Sequence, residues 1–347
     1  MDTTSEDDPV LLRHLNIILL TPVIIFGLTG NILSILAWSR GFHRDTSTAA
    51  LLTALAIIDT IVLTVPATER WFHRVIYFLI RTDNNVTCKI WAFLSYFAPT
   101  SSSWIIVLVT AERFISIWFP MRVGYLSTRK KVICLILVMS VIIGSMYMPV
   151  MVHVTVFQNT HDTLDIASTK NETSIVYFTD CDISDQRYRE DYLRVLMWLD
   201  MAFLFMAPFV LIVLGNVLII YKICQSRRSG VLHAERDVEC RSQVANTFTI
   251  RAIALSITFL ICLLPVTTYQ LVNTNTDVTL PGYADDIIHI LLYGNSTCNF
   301  ILYCAIGSGF RKDLRTALSN LCRIKKPRLD RLDSNMSEVL ASRIVHT

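Results

Sequence analysis

Residues 88–120 read CKIWAFLSYFAPTSSSWIIVLVTAERFISIWFP, an apolar run with a cysteine at its head and a Glu-Arg pair near its foot. Cys88 and Arg113 are 25 residues apart. On an α-helix rising about 1.5 Å per residue, that separation is roughly 37 Å, a little more than the ~30 Å hydrocarbon core of a bilayer. The stretch therefore reads as a spanning helix with Cys88 at one water interface and Glu112-Arg113 at the other. Any membrane helix with a charged end reads the same way, so the rest of the chain decides.

Of the 347 residues, 53% are hydrophobic and 17% are charged, whereas soluble domains carry about a quarter charged residues. Six more apolar segments flank this one, near 15–38, 48–72, 132–153, 193–223, 246–272 and 284–306, making seven with 88–118. Each is about 20 residues or longer, enough to cross a bilayer as an α-helix. The fold class expected is all-α, a seven-transmembrane helix bundle over 15–306, with 1–14 as an outer N-terminal segment. An odd number of crossings puts the chain ends on opposite sides. Arg40 and Arg44, Arg122 with Arg129, Lys130 and Lys131, and Arg227, Arg228, Arg236 and Arg241 follow the first, third and fifth segments. Arg311, Lys312, Arg315, Arg323, Lys325, Lys326 and Arg328 follow the last. Basic loops stay in the cytosol, so the N-terminus is expected outside and the protein in the plasma membrane. Glu6, Asp7, Asp8, Asp162, Asp165, Asp180, Asp182 and Asp185 then fall outside. The acidic start MDTTSEDDPV lacks the basic head and short apolar core of a cleavable signal peptide. The first span is thus expected to double as the insertion signal.

Several function classes recede on the same evidence. The net charge of +3 is small, and no basic block is interleaved with aromatics in a polar context, which argues against nucleic acid. Nine cysteines are scattered without CxxC pairs, and His153 and His289 are isolated, so no catalytic metal set is visible and an enzyme is not expected. A transporter built from inverted repeats would show internal symmetry, and none is apparent. A channel would need a continuous polar path. Asn85-Val-Thr and Asn171-Glu-Thr are sequons in outer loops, where glycosylation is expected. Asn295-Ser-Thr and Asn335-Met-Ser match the pattern inside a span and in the cytosolic tail, and neither is expected to be modified.

Polar groups in lipid are costly and mark function or helix packing. They recur along this chain: Asn31 after Gly30, Asp59 in LTALAIID, Ser102, and Asn295, Ser296 and Asn299 in the seventh segment. Pro208 and Pro265 interrupt the fifth and sixth, where a missing N–H permits a bend.

With Gly30-Asn31, Leu55 to Asp59, Cys88, Glu112-Arg113-Phe114, Pro120, Pro208, the run Phe259, Cys262 and Pro265, and Asn299-Phe-Ile-Leu-Tyr303, the chain resembles the rhodopsin-like G-protein-coupled receptors over nearly its whole length. GSGFRKDLRTAL at the start of 307–322 resembles their amphipathic eighth helix, leaving 323–347 as a flexible tail. The resemblance implies a disulfide between Cys88 and Cys181, and a resting pair of Glu112 with Arg113. It implies coupling to a heterotrimeric G protein through Glu112, Arg113, Phe114 and Tyr303, with arrestin and membrane lipids as further partners. It also implies a sodium site at Asp59 with Asn31, Ser102, Asn295, Ser296 and Asn299; a protonated Asp59 held by hydrogen bonds is the alternative. No other cofactor is expected. Cys322 is either palmitoylated or a plain thiol. The chain departs from the family at Leu263 (usually Trp), Asn216 (usually Tyr) and Phe300 (usually Pro), and its fourth helix lacks the usual Trp. Ala245 also stands where an acidic partner for Arg113 could lie.

The resemblance further narrows the ligand. Tyr293 occupies the place of the retinal-binding lysine of opsins, and Ser95 that of the amine-binding aspartate. What remains for a ligand site is Glu69, Arg70, His73, Ser95, Tyr96, Asp200, Tyr269, Gln270, His289 and Tyr293. Glu69 and Asp200 could hold a basic ligand group, or be neutralised locally by Arg70 and Arg194; His289 and Tyr293 could simply pack. An acidic outer face suits a cationic extracellular peptide. The chain looks most similar to invertebrate neuropeptide receptors, including those for amidated FMRFamide-type peptides; a lipid or other small molecule is the alternative ligand.

Overall fold

The computed structural model describes residues 9–41, 44–78, 82, 84–164, 173–183, 186–228, 236–275, 281–306 and 308–324. Among them seven helices are long and apolar enough to cross a membrane. They are α1 (Pro9–Arg40), α2 (Ser47–Ile76), α3 (Asn85–Trp118), α4 (Arg129–His153), α5 (crossing over Arg194–Gln225), α6 (crossing over Thr249–Val272) and α7 (Gly282–Ile306). An amphipathic α8, Ser308–Ile324, follows. α3 is the axis of the bundle, packing on α2, α4, α5 and α6.

The bundle is turned inside out relative to a soluble protein. Phe26, Val141 and Ile261 face outward, while Asn31, Asp59, Ser102 and Asn299 are buried. Lipid is as apolar as a protein core, so the helices gain by burying their polar groups against one another. Close approach needs small residues, and Gly30 is one: a Cβ there would lie 2.7 Å from Cβ of Phe300 on α7. Phe300, where the family usually has proline, thus fills the hollow that Gly30 leaves.

Helix starts follow local chemistry. Thr46 caps α2 by accepting from the Ala49 N–H at 3.1 Å, and Asn84 caps α3 by accepting from Thr87 at 2.9 Å. α2 ends at Tyr77, whose φ of 55° is left-handed and stops the helix. α1 begins at Pro9, inside the segment 1–14 expected to precede it. Proline is favoured in a first turn, and Val10 to Leu15 contains no breaker. α6 extends back to Arg236, beyond the crossing part.

Wide π-type turns interrupt α2 at Leu63–Ala67 and α5 at Met201–Met206. In α2 the cause is Pro66, and Thr68 Oγ1 satisfies the Leu63 carbonyl at 2.7 Å. In α5 the wide turn sits directly ahead of Pro208, and the Phe203 carbonyl accepts from Trp104 Nε1 of α3 at 3.0 Å. These turns re-phase the halves of α2 and α5 nearer the Cys88 end.

Between α4 and α5 the chain forms an antiparallel hairpin, β1 (Val154–Leu164) and β2 (Thr173–Ile183), which the sequence reading did not include. Two ties bind it to α3. Cys88 and Cys181 form a disulfide with Cα atoms 5.7 Å apart, closing a separation of 93 residues. Asn85 Oδ1 accepts from the Val156 N–H at 2.8 Å. Loop-closure entropy over such a separation makes the disulfide worth up to about 4 kcal/mol. The Cys181→Ser variant is therefore expected to unfold at lower temperature than the native receptor by differential fluorimetry in detergent; an unchanged melting curve would contradict it. Asn171 and the tail from 325 lie outside the described residues, as do the side chains of Ala245 and Cys322.

Candidate ligand cavity and polar core

In the half of the bundle nearer Cys88 lies a cavity of about 560 Å³. Pro66, Glu69, Arg70 and His73 of α2 line it, with Ser95, Tyr96 and Pro99 of α3 and Asp200 and Leu204 of α5. Val266 and Gln270 of α6, and His289, Leu292 and Tyr293 of α7, complete the wall. Nine of the ten ligand candidates are thus brought together. Tyr269 is not among the lining residues. Val266 and Gln270, one helical turn apart, face the cavity, and Tyr269 is one 100° step off that line.

The arginines of α2 pair across the bundle. Arg70 Nη2 reaches Asp285 at 2.5 Å and Asp286 at 2.7 Å on α7, and its Nε reaches Asp286 at 3.1 Å. Arg74 Nε adds a 3.0 Å bond to Asp286, and Asn16 Nδ2 of α1 donates to the other Asp286 oxygen at 2.8 Å. Asp286 is 0% exposed and gathers three helices onto one carboxylate. His289 Nδ1 lies 3.2 Å from Asp285 Oδ1. Asp200 accepts from Tyr147 at 2.6 Å, not from Arg194, and Tyr147 in turn meets Thr100 at 2.9 Å. The Tyr147 ring stacks on Tyr96 at 5.7 Å, which fixes the wall of α3. Glu69 is 8% exposed and faces the cavity.

Beneath the cavity sits the polar core. Asp59 Oδ1 accepts from Ser102 at 2.7 Å and Ser296 at 2.9 Å, and Oδ2 accepts from Asn299 Nδ2 at 2.6 Å. Asn31 Nδ2 donates to the Ser296 carbonyl at 3.1 Å. The amide oxygens of Asn295 and Asn299 are buried with no hydrogen-bond partner. Asn295 and Ser296 also border a small void roofed by Leu263 and Leu292. Asp59, two hydroxyls and two orphaned amide oxygens form a donor set of hard oxygens, which fits a small hard cation.

At the far end Arg113 Nε donates to Glu112 Oε2 at 2.6 Å, and Nη2 donates to Thr48 Oγ1 at 2.5 Å. Glu112 Oε1 accepts from Ser47 at 2.9 Å and Thr48 at 3.1 Å, so the pair is clamped to the first turn of α2. Phe114 stands apart from it, tilted on Trp118 at 5.6 Å. Tyr303 packs on Phe310 of α8 at 5.5 Å and on Trp38 of α1 at 5.8 Å. The sequence reading missed Asn16, Arg74, Tyr147, Asp285 and Asp286. The adjacent acids Asp285-Asp286 opposite Arg70 and Arg74 are the one signal that could have found the first network.

Seven crossings, a disulfide from α3 to the following hairpin and a polar core around Asp59 define a membrane receptor scaffold. The model of the 7 transmembrane receptor (rhodopsin family) matches residues 30–303, and the chain belongs to that family of G-protein-coupled receptors, which are signalling receptors and not enzymes. It is similar to growth hormone secretagogue receptor type 1 of Rattus norvegicus, 23% identical over 298 residues, 83% of this chain and 76% of the relative. The Sus scrofa protein of the same name is 24% identical over 297 residues, with the same coverage. The alpha-1A adrenergic receptor of Oryzias latipes is 31% identical over 125 residues, 35% of this chain and 26% of that protein.

Proposed function

We propose that the protein is a plasma-membrane receptor that binds a short extracellular peptide carrying a cationic group and relays this to a heterotrimeric G protein. The charge layout of the cavity carries the reading. Glu69 and Asp200 face the cavity, whereas Arg70, the one arginine among the described lining residues, is paired with both Asp285 and Asp286. Such a cavity attracts an arginine or lysine, and Tyr96, His289 and Tyr293 offer ring faces to an apolar or aromatic side chain. A free C-terminal carboxylate meets like charge there, and an amidated terminus does not. Its volume lies in the usual range for small-ligand sites.

The excess of basic residues beyond α1, α3, α5 and α7 orients the Cys88 end outward and the Arg113 end toward the cytosol. Asn85, in the first turn of α3, then lies outside, where its sequon can carry a glycan. Ligand favours a state with α6 swung outward and the Glu112–Arg113–Thr48 clamp released, exposing Arg113 to the G protein, with arrestin as a second partner. It shifts this equilibrium only by binding the open state more tightly.

The test is G-protein activation in transfected cells challenged with short peptides in amidated and free-acid forms, with Arg113→Ala as control. A saturable response that prefers the amide and is lost in Arg113→Ala supports the reading. Silence with verified surface expression rejects the peptide and favours a lipid or other small molecule.

In the same reading Asp59 holds a sodium ion with Ser102, Ser296, Asn295 and Asn299, in a network that Asn31 braces. Sodium chloride is then expected to lower agonist affinity relative to choline chloride, and Asp59→Asn to abolish the difference. Equal salt sensitivity in the native and variant receptors would exclude the site.

A further inference from the structure

The Arg113 end holds a second arginine that the clamp does not use. Arg251 lies at the start of the crossing part of α6 and is 3% exposed. A guanidinium withdrawn from water at that depth is costly unless its surroundings compensate it. The compensation comes from two other helices. The guanidinium carbon lies 5.6 Å from the ring centroid of Trp38 on α1, in cation–π range. Among the charged groups around it, Asp313 of α8 attracts the guanidinium, whereas Arg113 and Arg311 repel it. Asp313 is itself 3% exposed and pinned where α8 meets the end of α1: a Cβ on Gly41 would come within 2.8 Å of its side chain. Trp38 is held in turn by Tyr303 and by Phe310, 5.1 Å away. α7 packs against both α6 and α1, so the Arg251 side chain reaches past the foot of α7 to Trp38.

We propose that this seat is an autoinhibitory contact, in which Trp38, braced by Tyr303, and Asp313 grip Arg251 and so hold α6 against the bundle. The proposal rests on the reading of a receptor whose α6 swings outward. That motion carries the guanidinium off the Trp38 face and away from Asp313, and the open state forfeits both attractions. The resting state is favoured by the difference. A restraint then exists on α6 although Ala245 supplies no carboxylate to Arg113.

Two measurements separate the contact from the reading beneath it. Nitroxides at Ile250→Cys on α6 and Leu318→Cys on α8, both at exposed positions, report the α6–α8 distance in nanodiscs without any G protein. The background carries serine in place of its reactive cysteines. Arg251→Gln and Asp313→Asn are each expected to add a longer distance to the ligand-free distribution, with Arg251→Lys intermediate. Ligand-independent nucleotide exchange, normalised to surface receptor, is expected to rise about five- to tenfold in each. The double variant should rise no further than the stronger single one, because both remove the same grip. An unchanged distance distribution in well-folded Arg251→Gln and Arg251→Lys receptors overturns the contact, as does an additive double variant. A longer distance without any rise in exchange upholds the contact and rejects the G-protein reading.

Discussion

Replacing Asp286 with alanine is expected to destabilise the folded receptor by up to about 3–5 kcal/mol, since it leaves two partly buried guanidinium groups with only the more exposed Asp285 between them. Asp286 is fully buried and takes bonds from Arg70, Arg74 and Asn16, so one side chain ties α7 to α2 and α1. Asp285 is 24% exposed at its side chain, and water can replace part of what it provides. Asp285→Ala is therefore expected to cost less. The measurement is thermal unfolding of the purified receptor, with surface expression as a parallel readout. A control follows from the same physics: removing charge from both sides, as in Asp286→Leu with Arg70→Leu and Arg74→Leu, should recover much of the loss, because a buried ion cluster is often no more stable than well-packed apolar side chains. If Asp286→Ala melted with the native protein, the cluster would be ornamental to stability.

This network also marks the limit of what the sequence discloses. The crossings were legible because lipid demands about 20 apolar residues per helix, and Asp59, Arg113 and Tyr303 were legible because they are polar groups at stereotyped places in apolar runs. Asp285 and Asp286 were not. They stand near the start of α7, where acids ordinarily face water, and become buried only because Arg70 and Arg74 arrive from more than 200 residues away. Tyr269 stands off the cavity wall for another reason: a choice among adjacent positions 266–270 needs the rotation of α6, which the hydropathy of a lipid-surrounded helix fixes poorly. In α2 and α5 the wide turns at Leu63–Ala67 and Met201–Met206 shift the phase again, yet Glu69 and Asp200 still face the cavity. The hairpin had a readable signal, β-branched and aromatic residues in VTVF and TSIVYF on either side of a polar stretch. Length alone could not separate it from an irregular loop.

The two acids of the cavity carry the ligand proposal, and their neutralisation is expected to have the largest effect on signalling short of removing Arg113. Glu69→Gln and Asp200→Asn should each lower the potency of a basic peptide by about 30- to 150-fold, the equivalent of roughly 2–3 kcal/mol for a desolvated charge pair that loses one member. Asparagine at 200 keeps an oxygen for the Tyr147 hydroxyl, so the bond that holds α4 to α5 survives and the variant is expected to reach the surface. Glutamine at 69 likewise keeps the shape of the side chain. A drop in potency alone would not locate the ligand cation, because a displaced helix produces the same drop. The decisive measurement pairs each variant with a peptide whose arginine or lysine is replaced by an uncharged isostere. If the cation sits on Glu69, the isostere loses potency at the native receptor and loses almost nothing further at Glu69→Gln, while at Asp200→Asn the two losses add. The reverse pattern assigns the cation to Asp200. Full additivity at both positions would mean that neither carboxylate touches the cation. The charge layout of the cavity would then have to be explained by its own folding, as through the Tyr147 bond to Asp200, and the case for a cationic peptide would fall with it.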